Sequence, residues 1–335
     1  MTGCSTGDGI AASGSDLRRS LPATAETRRF GLGLPNAFPL GEPNLDFLRF
    51  AERAEELGYD ALWAGDHVVF HVPRLEIFTV LAAVVTKTRR VTVGSGVLLL
   101  CLRNPVHVAQ TVATLDHLSA GRFVLGVGVG GEHVKEFEAS GVPRRERGAR
   151  TDEGLAIVRK LLTQPEVDYE GRFWRLRGIS MKLRPPHLPP VWVGGRAEAT
   201  FHRVVAHGDA WFPGFVTPDA YREGLRRIDI LCREAGRDPA TIERGLYLFV
   251  SVDADSARAR RQAEEFLSRN YNMPFAPFER YLVAGRPQQC IEAVRRHLEA
   301  GATHLTVRFA TAEPLRQLEL WSADVLPALR EIAVP

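Results

Sequence analysis

A chain of 335 residues, 45% hydrophobic and 25% charged, has the material for one large core and for one barrel-sized domain. Its 43 basic and 40 acidic residues leave a formal charge of +3, with the basic groups mixed among acids and not gathered in a stripe, which argues against a nucleic-acid partner. No apolar run reaches the roughly 18 residues of a membrane span, and Cys4, Cys101, Cys232 and Cys290 are too scattered for a zinc or disulfide framework, so no metal is expected.

Met1 to Arg28 is rich in Gly, Ser, Thr and Ala and has no apolar periodicity. It reads as a disordered leader, residues 1–28, ahead of one domain over residues 29–335. It lacks the apolar core of a secretory signal, which points to the cytoplasm. From Arg29 onward strand patterns alternate with helical ones, as in repeated βα units. Eight strands are predicted near Phe30–Leu34, Ala61–Ala64, Val91–Leu98, Phe123–Val127, Val191–Val193, Ala210–Phe212, Gly245–Val252 and His304–Phe309. Helices are predicted near Asp46–Leu57, Glu76–Thr86, Pro105–His117, Thr151–Leu162, Ala197–Ala206, Ala220–Ala235, Gln288–Ala300 and Leu315–Leu329. Two stretches break the rhythm. Val167 to Pro190, after the fourth strand, carries a tight hairpin and two Pro-Pro pairs; Asn270 to Arg286, before the eighth, sets aromatic residues among prolines and suits either a substrate lid or satellite packing.

The opening G-x-G-x-x-G of a doubly wound sheet is missing, since Gly31-Leu32-Gly33-Leu34-Pro35 does not match it. The expected fold is therefore an α/β class (β/α)8 TIM barrel, with its chemistry at the carboxyl ends of the strands. After the second strand come Asp66 and His67, a pair suited to acid/base work or merely to capping the next segment. Gly94 and Gly96 interrupt the third strand, which a flat ring lying on Gly96 and Val97 would explain, as would tight packing inside the barrel. After the fourth strand Gly126-Val127-Gly128-Val129-Gly130-Gly131-Glu132 leaves amides exposed, and after the fifth Gly194-Gly195-Arg196 adds a guanidinium suited to phosphate, unless these glycines only reverse the chain. Schiff-base chemistry has no lysine at a strand end, since Lys87, Lys135, Lys160 and Lys182 fall on helices or loops. The amidohydrolase His-x-His is absent from the first strand.

Read in order along the chain, these residues resemble the luciferase-like family of flavin- and deazaflavin-dependent oxidoreductases. The resemblance rests on Gly31 to Pro35, on Ala54-Glu55-Glu56-Leu57-Gly58-Tyr59-Asp60-Ala61-Leu62-Trp63 leading to Asp66-His67, and on Gly94-Ser95-Gly96-Val97-Leu98 with Arg103-Asn104-Pro105. Ala109 to Phe123, which ends Asp116-His117-Leu118-Ser119-Ala120-Gly121-Arg122-Phe123, is its most diagnostic run, and Glu136-Phe137 and Pro190-Val191-Trp192-Val193-Gly194-Gly195 extend it. It implies a luciferase-like barrel with a tricyclic flavin or deazaflavin across its mouth, against a cis peptide between Gly96 and Val97. It places the cofactor phosphate on Gly194, Gly195 and Arg196, with Asp66, Gly128, Gly130, Gly131 and Arg150 among the other cofactor contacts. His67 and Glu132 are implied near the reacting ring as the catalytic, proton-transferring pair. The short loop from His67 to Glu76 leaves His71 and Arg74 facing substrate, and Cys101 stands where relatives often carry proline.

The Asp66-His67 pair leans the cofactor assignment toward coenzyme F420 and hydride transfer with a small-molecule substrate. The alternatives are an FMN-dependent monooxygenase served by a separate reductase, and a flavin-binding barrel without turnover. The resemblance also implies a homodimer.

Overall fold

The computed structural model describes residues 28–43 and 46–333. In it the β-branched and apolar runs become β1 (Arg29–Gly33), β2 (Ala61–Ala64), β3 (Thr92–Ser95), β4 (Leu98–Leu99), β5 (Phe123–Gly128), β6 (Val167–Glu170), β7 (Arg175–Ile179), β8 (Val191–Val193), β9 (Ala210–Trp211), β10 (Glu243–Val252), β11 (Val283–Gly285) and β12 (His304–Phe309). The parallel order β1-β2-β3-β5-β8-β9-β10-β12 closes on itself through Arg29 opposite His304 and Glu243 opposite Ala210. This is the expected (β/α)8 barrel. The third barrel strand breaks at Gly96–Val97, a cis peptide, and resumes as β4, whose Leu98 and Leu99 pair with Val127 and Gly128.

Large rings fill the barrel interior. Trp63 lies 4.7 Å from the Trp192 ring and 4.6 Å from the Phe212 ring, with Ala61, Val124 and Ala210 between the strands. The rings need space on the facing strands, and glycine provides it. A Cβ on Gly94 would stand 2.5 Å from the Trp63 ring, so Gly94 answers interior packing. Outside the barrel the helices bury their apolar stripes in one continuous core that runs from Phe30 to Leu329.

The run most diagnostic in sequence is structural. The helix Pro105–Ser119 starts on Asn104, whose side chain accepts from Val106 N at 2.9 Å, and ends on Ala120 and Gly121 at φ 54° and 81°. The Arg122 guanidinium then donates to the carbonyls of Val85, Thr88, Val91 and Ser119 at 2.7–3.1 Å. Carbonyls from the helix Ile77–Lys87, the loop after it and the helix Pro105–Ser119 are thus gathered by one side chain, at the end of the barrel where strand β5 begins.

Some expectations are corrected. No helix is predicted between β10 and the irregular stretch that starts at Asn270, yet one forms there, Ser256–Tyr271; the stretch itself then holds the short helix Ala276–Glu279 and β11, which extends the sheet beyond β10. That helix is mostly polar, and only Ala259, Ala263, Phe266, Leu267 and Asn270 are buried, so its apolar stripe is too thin to read in sequence. The last predicted helix divides into Pro314–Asp324 and Leu326–Arg330, where Pro327 removes an N–H. The expected hairpin is present as β6–β7. The expected leader lies outside the described residues except for Arg28, whose guanidinium donates to the carbonyls of Leu298 and Ile332. Among the described residues, no helix is long and apolar enough to cross a membrane.

Candidate active site

The carboxyl ends of the strands surround a cavity of about 320 Å³, within the range of about 300–1,000 Å³ that small-molecule sites occupy. Its wall on the β3 side is Val97. A Cβ on Gly128 would stand 2.5 Å from the Val97 side chain, and one on Gly194 3.0 Å from it, so both glycines are needed for the turned-in Val97 to fit between β5 and β8. Gly65, Gly96, Gly128, Gly130, Gly194 and Gly195 are among the residues that line the cavity. Gly195, at φ 118°, can only be glycine without strain. The helix Glu198–His207 follows, and its N-cap is Ala197, so no side chain caps its first amides. Arg196 donates to Phe215 O and lies 5.6 Å from the Tyr281 ring.

At the end of β2 the backbone sends two adjacent side chains in different directions. Asp66 is buried and accepts from Leu99 N at 2.9 Å and from both Arg103 terminal nitrogens at 2.6 and 2.9 Å. Both of its oxygens are thus used to tie the β2 loop to the segment after β4. His67 stacks on Phe70 with centroids 3.7 Å apart, and its Nδ1 lies 3.1 Å from Glu136 Oε2. The other ring nitrogen has no partner among the described residues. Burial, and then the nearby Arg74, push the imidazole down to about 3, which keeps it neutral. Glu136 is fully enclosed on the short helix Val134–Ala139, and burial pushes its carboxyl up to about 7. Both groups therefore favour their neutral forms, and the pair holds one proton near neutral pH.

Each sequence-predicted residue now has a place. Asp66, His67, Arg74, Gly96, Val97, Gly128, Gly130, Glu132, Gly194, Gly195 and Arg196 all line the cavity. Four residues do not. Gly131, at φ 127°, turns its carbonyl to Arg144, 2.7 Å away. Arg150 sits on the helix Arg147–Thr163, pairs with Glu146 at 3.0 Å and covers the Phe173 ring at 4.3 Å. His71 is exposed beside the cavity, its ring 4.2 Å from that of His133. Cys101 is buried behind the wall against Val129 O, at 3.5 Å, and burial pushes its thiol up to about 11. None of these four is among the residues that line the cavity.

Sequence reasoning missed Glu136 as the acid facing His67. Glu132 is exposed at the rim, whereas Glu136, one helical turn on, is the buried one; the adjacent Phe137, also buried, was the available signal. Arg308, Tyr247 and Asn270 also line the cavity, from inside β12, β10 and the unpredicted helix. The aromatic stretch divides its work. Tyr271 lines the cavity, and Phe275 and Phe278 pack with Phe266 and Leu267 in a satellite core.

The model of the luciferase-like monooxygenase family matches residues 29–304. An F420-dependent glucose-6-phosphate dehydrogenase from Kineococcus radiotolerans is 32% identical over 84% of this chain and 92% of its own length. Its counterpart from Amycolatopsis mediterranei is 29% identical over 86% of this chain and 95% of its own. Among solved structures, an F420-dependent secondary alcohol dehydrogenase bound to an F420-acetone adduct superposes with a TM-score of 0.81 at 21% identity, over 91% of this chain and all of that one. A monooxygenase from Streptomyces bottropensis superposes with a TM-score of 0.77 at 25% identity, over 89% of this chain and 99% of that one.

Proposed function

This chain belongs to the luciferase-like monooxygenase family, and from that premise we propose that it is an oxidoreductase moving hydride between coenzyme F420 and a small organic substrate. The observation that carries this reading is His67 held 3.1 Å from the enclosed Glu136 at the rim of a glycine-lined cavity. Hydride exchange at an alcohol carbon needs a proton exchanged at its oxygen, and a neutral imidazole backed by a carboxyl supplies that. The named F420 dependence of relatives spanning most of the chain supports the choice of cofactor.

The residues present fit the cofactor. The Val97 side chain, seated over Gly128 and Gly194, offers an apolar face to a planar ring, and the loop Gly194-Gly195-Arg196, ahead of uncapped helix amides, suits an anionic tail. When bound, a deazaflavin supplies two-electron chemistry without activating oxygen, while FMN would add oxygen activation. With Glu136 ionised, His67 donates its Nδ1–H to the carboxylate, and its outer ring nitrogen is left unprotonated for a substrate hydroxyl. As that nitrogen gains a proton, the Nδ1 proton passes to Glu136, whose raised affinity sits near working pH. His67 thus relays, and Glu136 stores. Asp66 positions the loop through Arg103. A cytoplasmic homodimer completes the reading, with a separate reductase only in the FMN case.

The test is purification from a host that makes both cofactors, with the bound molecule identified by mass and absorbance. Retained F420 supports the proposal. Retained FMN with no affinity for F420 would reverse it in favour of the monooxygenase.

A further inference from the structure

Two cavity arginines have no acid. Arg308 is only 6% exposed, and its one hydrogen bond among the described residues runs from Nη1 to Gly33 O at 3.1 Å. Arg74 lies 5.4 Å from the Phe70 ring, and its guanidinium donates to no protein atom among the described residues; its Nε is buried without a partner. Neither has a carboxylate within ion-pair distance among those residues, whereas Arg103 at the same mouth is matched by Asp66. Enclosed cations are costly unless paired. Here each also raises the cost of the other, since the nearby Arg74 adds to the burial that weakens the proton affinity of Arg308. Asn270 is buried beside them with Oδ1 unpartnered.

The position separates this pair from the expected phosphate site. Arg308 lies on β12 and Arg74 follows β2, with Gly33 on the β1 between them. The loop Gly194-Gly195-Arg196 follows β8, on the far side of the closed barrel. A single cavity therefore offers cationic groups at opposite edges, and the fork-shaped donors of Arg74 and Arg308 on one of them match an oxyanion.

We propose that the substrate carries an anionic group, carboxylate or phosphate, seated between Arg74 and Arg308, while its reacting carbon faces His67. This rests on the reading of the cavity as a redox site, and deepens it by giving the chemical class of the substrate. The anion offsets the two enclosed charges, so uncharged analogues of the same shape bind poorly.

The test is calorimetric titration of the F420-loaded protein with inorganic phosphate, succinate and neutral succinamide. Phosphate or succinate should bind and succinamide should not, the tighter of the two anions identifying the group. Arg308→Met and Arg74→Met should each weaken the anion by about 10- to 100-fold while leaving F420 affinity in place. Arg308→Lys, which keeps a charge, should recover part of the loss and shows that misfolding is not its cause. Equal binding of anion and succinamide by the unaltered protein would overturn the proposal, as would Met variants that lose F420 and keep the anion. Arginine-dependent anion binding by a protein that takes up neither F420 nor FMN would overturn the redox reading and leave the anion site standing.

Discussion

At the scale of the single residue, proximity in sequence misleads about partnership. Asp66 and His67 are neighbours, yet one faces Arg103 and the other Glu136. Replacing Asp66 by Ala leaves Arg103 only the longer contact with Glu76, at 3.8 Å, and should cost about 1.5–3 kcal/mol in urea unfolding. Replacing His67 by Ala should lower turnover by about 10²–10⁴ while F420 still binds; unchanged turnover would remove the relay. Glu136 makes a sharper case through pH. Its carboxyl must be ionised to accept the relayed proton, so alcohol oxidation should rise as pH climbs through about 7, and the reverse reduction should fall. Glu136→Gln should abolish that inflection in both directions. His67 was legible because it follows a strand, where barrel chemistry sits. Glu136 was not, because a buried carboxyl on a six-residue helix carries no periodicity that a sequence reader can weigh.

At the scale of the element, the strands were legible and the long insertion was not. The barrel strands are short apolar runs bounded by glycine and charge, and their alternation with helices has one closed solution. The helix Ser256–Tyr271 lacks such a signal because its outer faces are wholly solvated, yet it brings Asn270 and Tyr271 to the cavity. Glycine carries the strand contacts most tightly specified by shape. A Cβ on Gly126 would lie 1.9 Å from Ser95 O, and Ser95 Oγ in turn donates to Gly126 O at 2.7 Å. Gly126→Ala must therefore push β5 away from β3 beside Val97. We expect a loss of about 3 kcal/mol in chemical denaturation, with weaker cofactor affinity as the wall shifts.

At the scale of the whole molecule, the barrel interior sets the response to acid. His304 begins β12, is buried against the Trp63 and Trp192 rings, and has neither ring nitrogen satisfied among the described residues. Burial pushes it down to about 3, from an ordinary value near 6.5. Between these values the unfolded chain binds the proton and the folded one does not, so stability falls as pH drops through that window. His67 acts in the same direction, while Glu136, raised from 4.5 to about 7, opposes them as pH rises through that interval. His304→Leu should flatten the acid limb by about 1.4 kcal/mol per pH unit, measured by urea unfolding from pH 4.5 to 6.5. The same stack of rings has a kinetic corollary. Trp63, Trp192 and Phe212 stop the cylinder like a cork, so whatever enters the mouth must leave by it. Two guests sharing one doorway depart in the reverse of their order of arrival, and turnover by this enzyme should follow a compulsory sequence in which the shallower guest exchanges first.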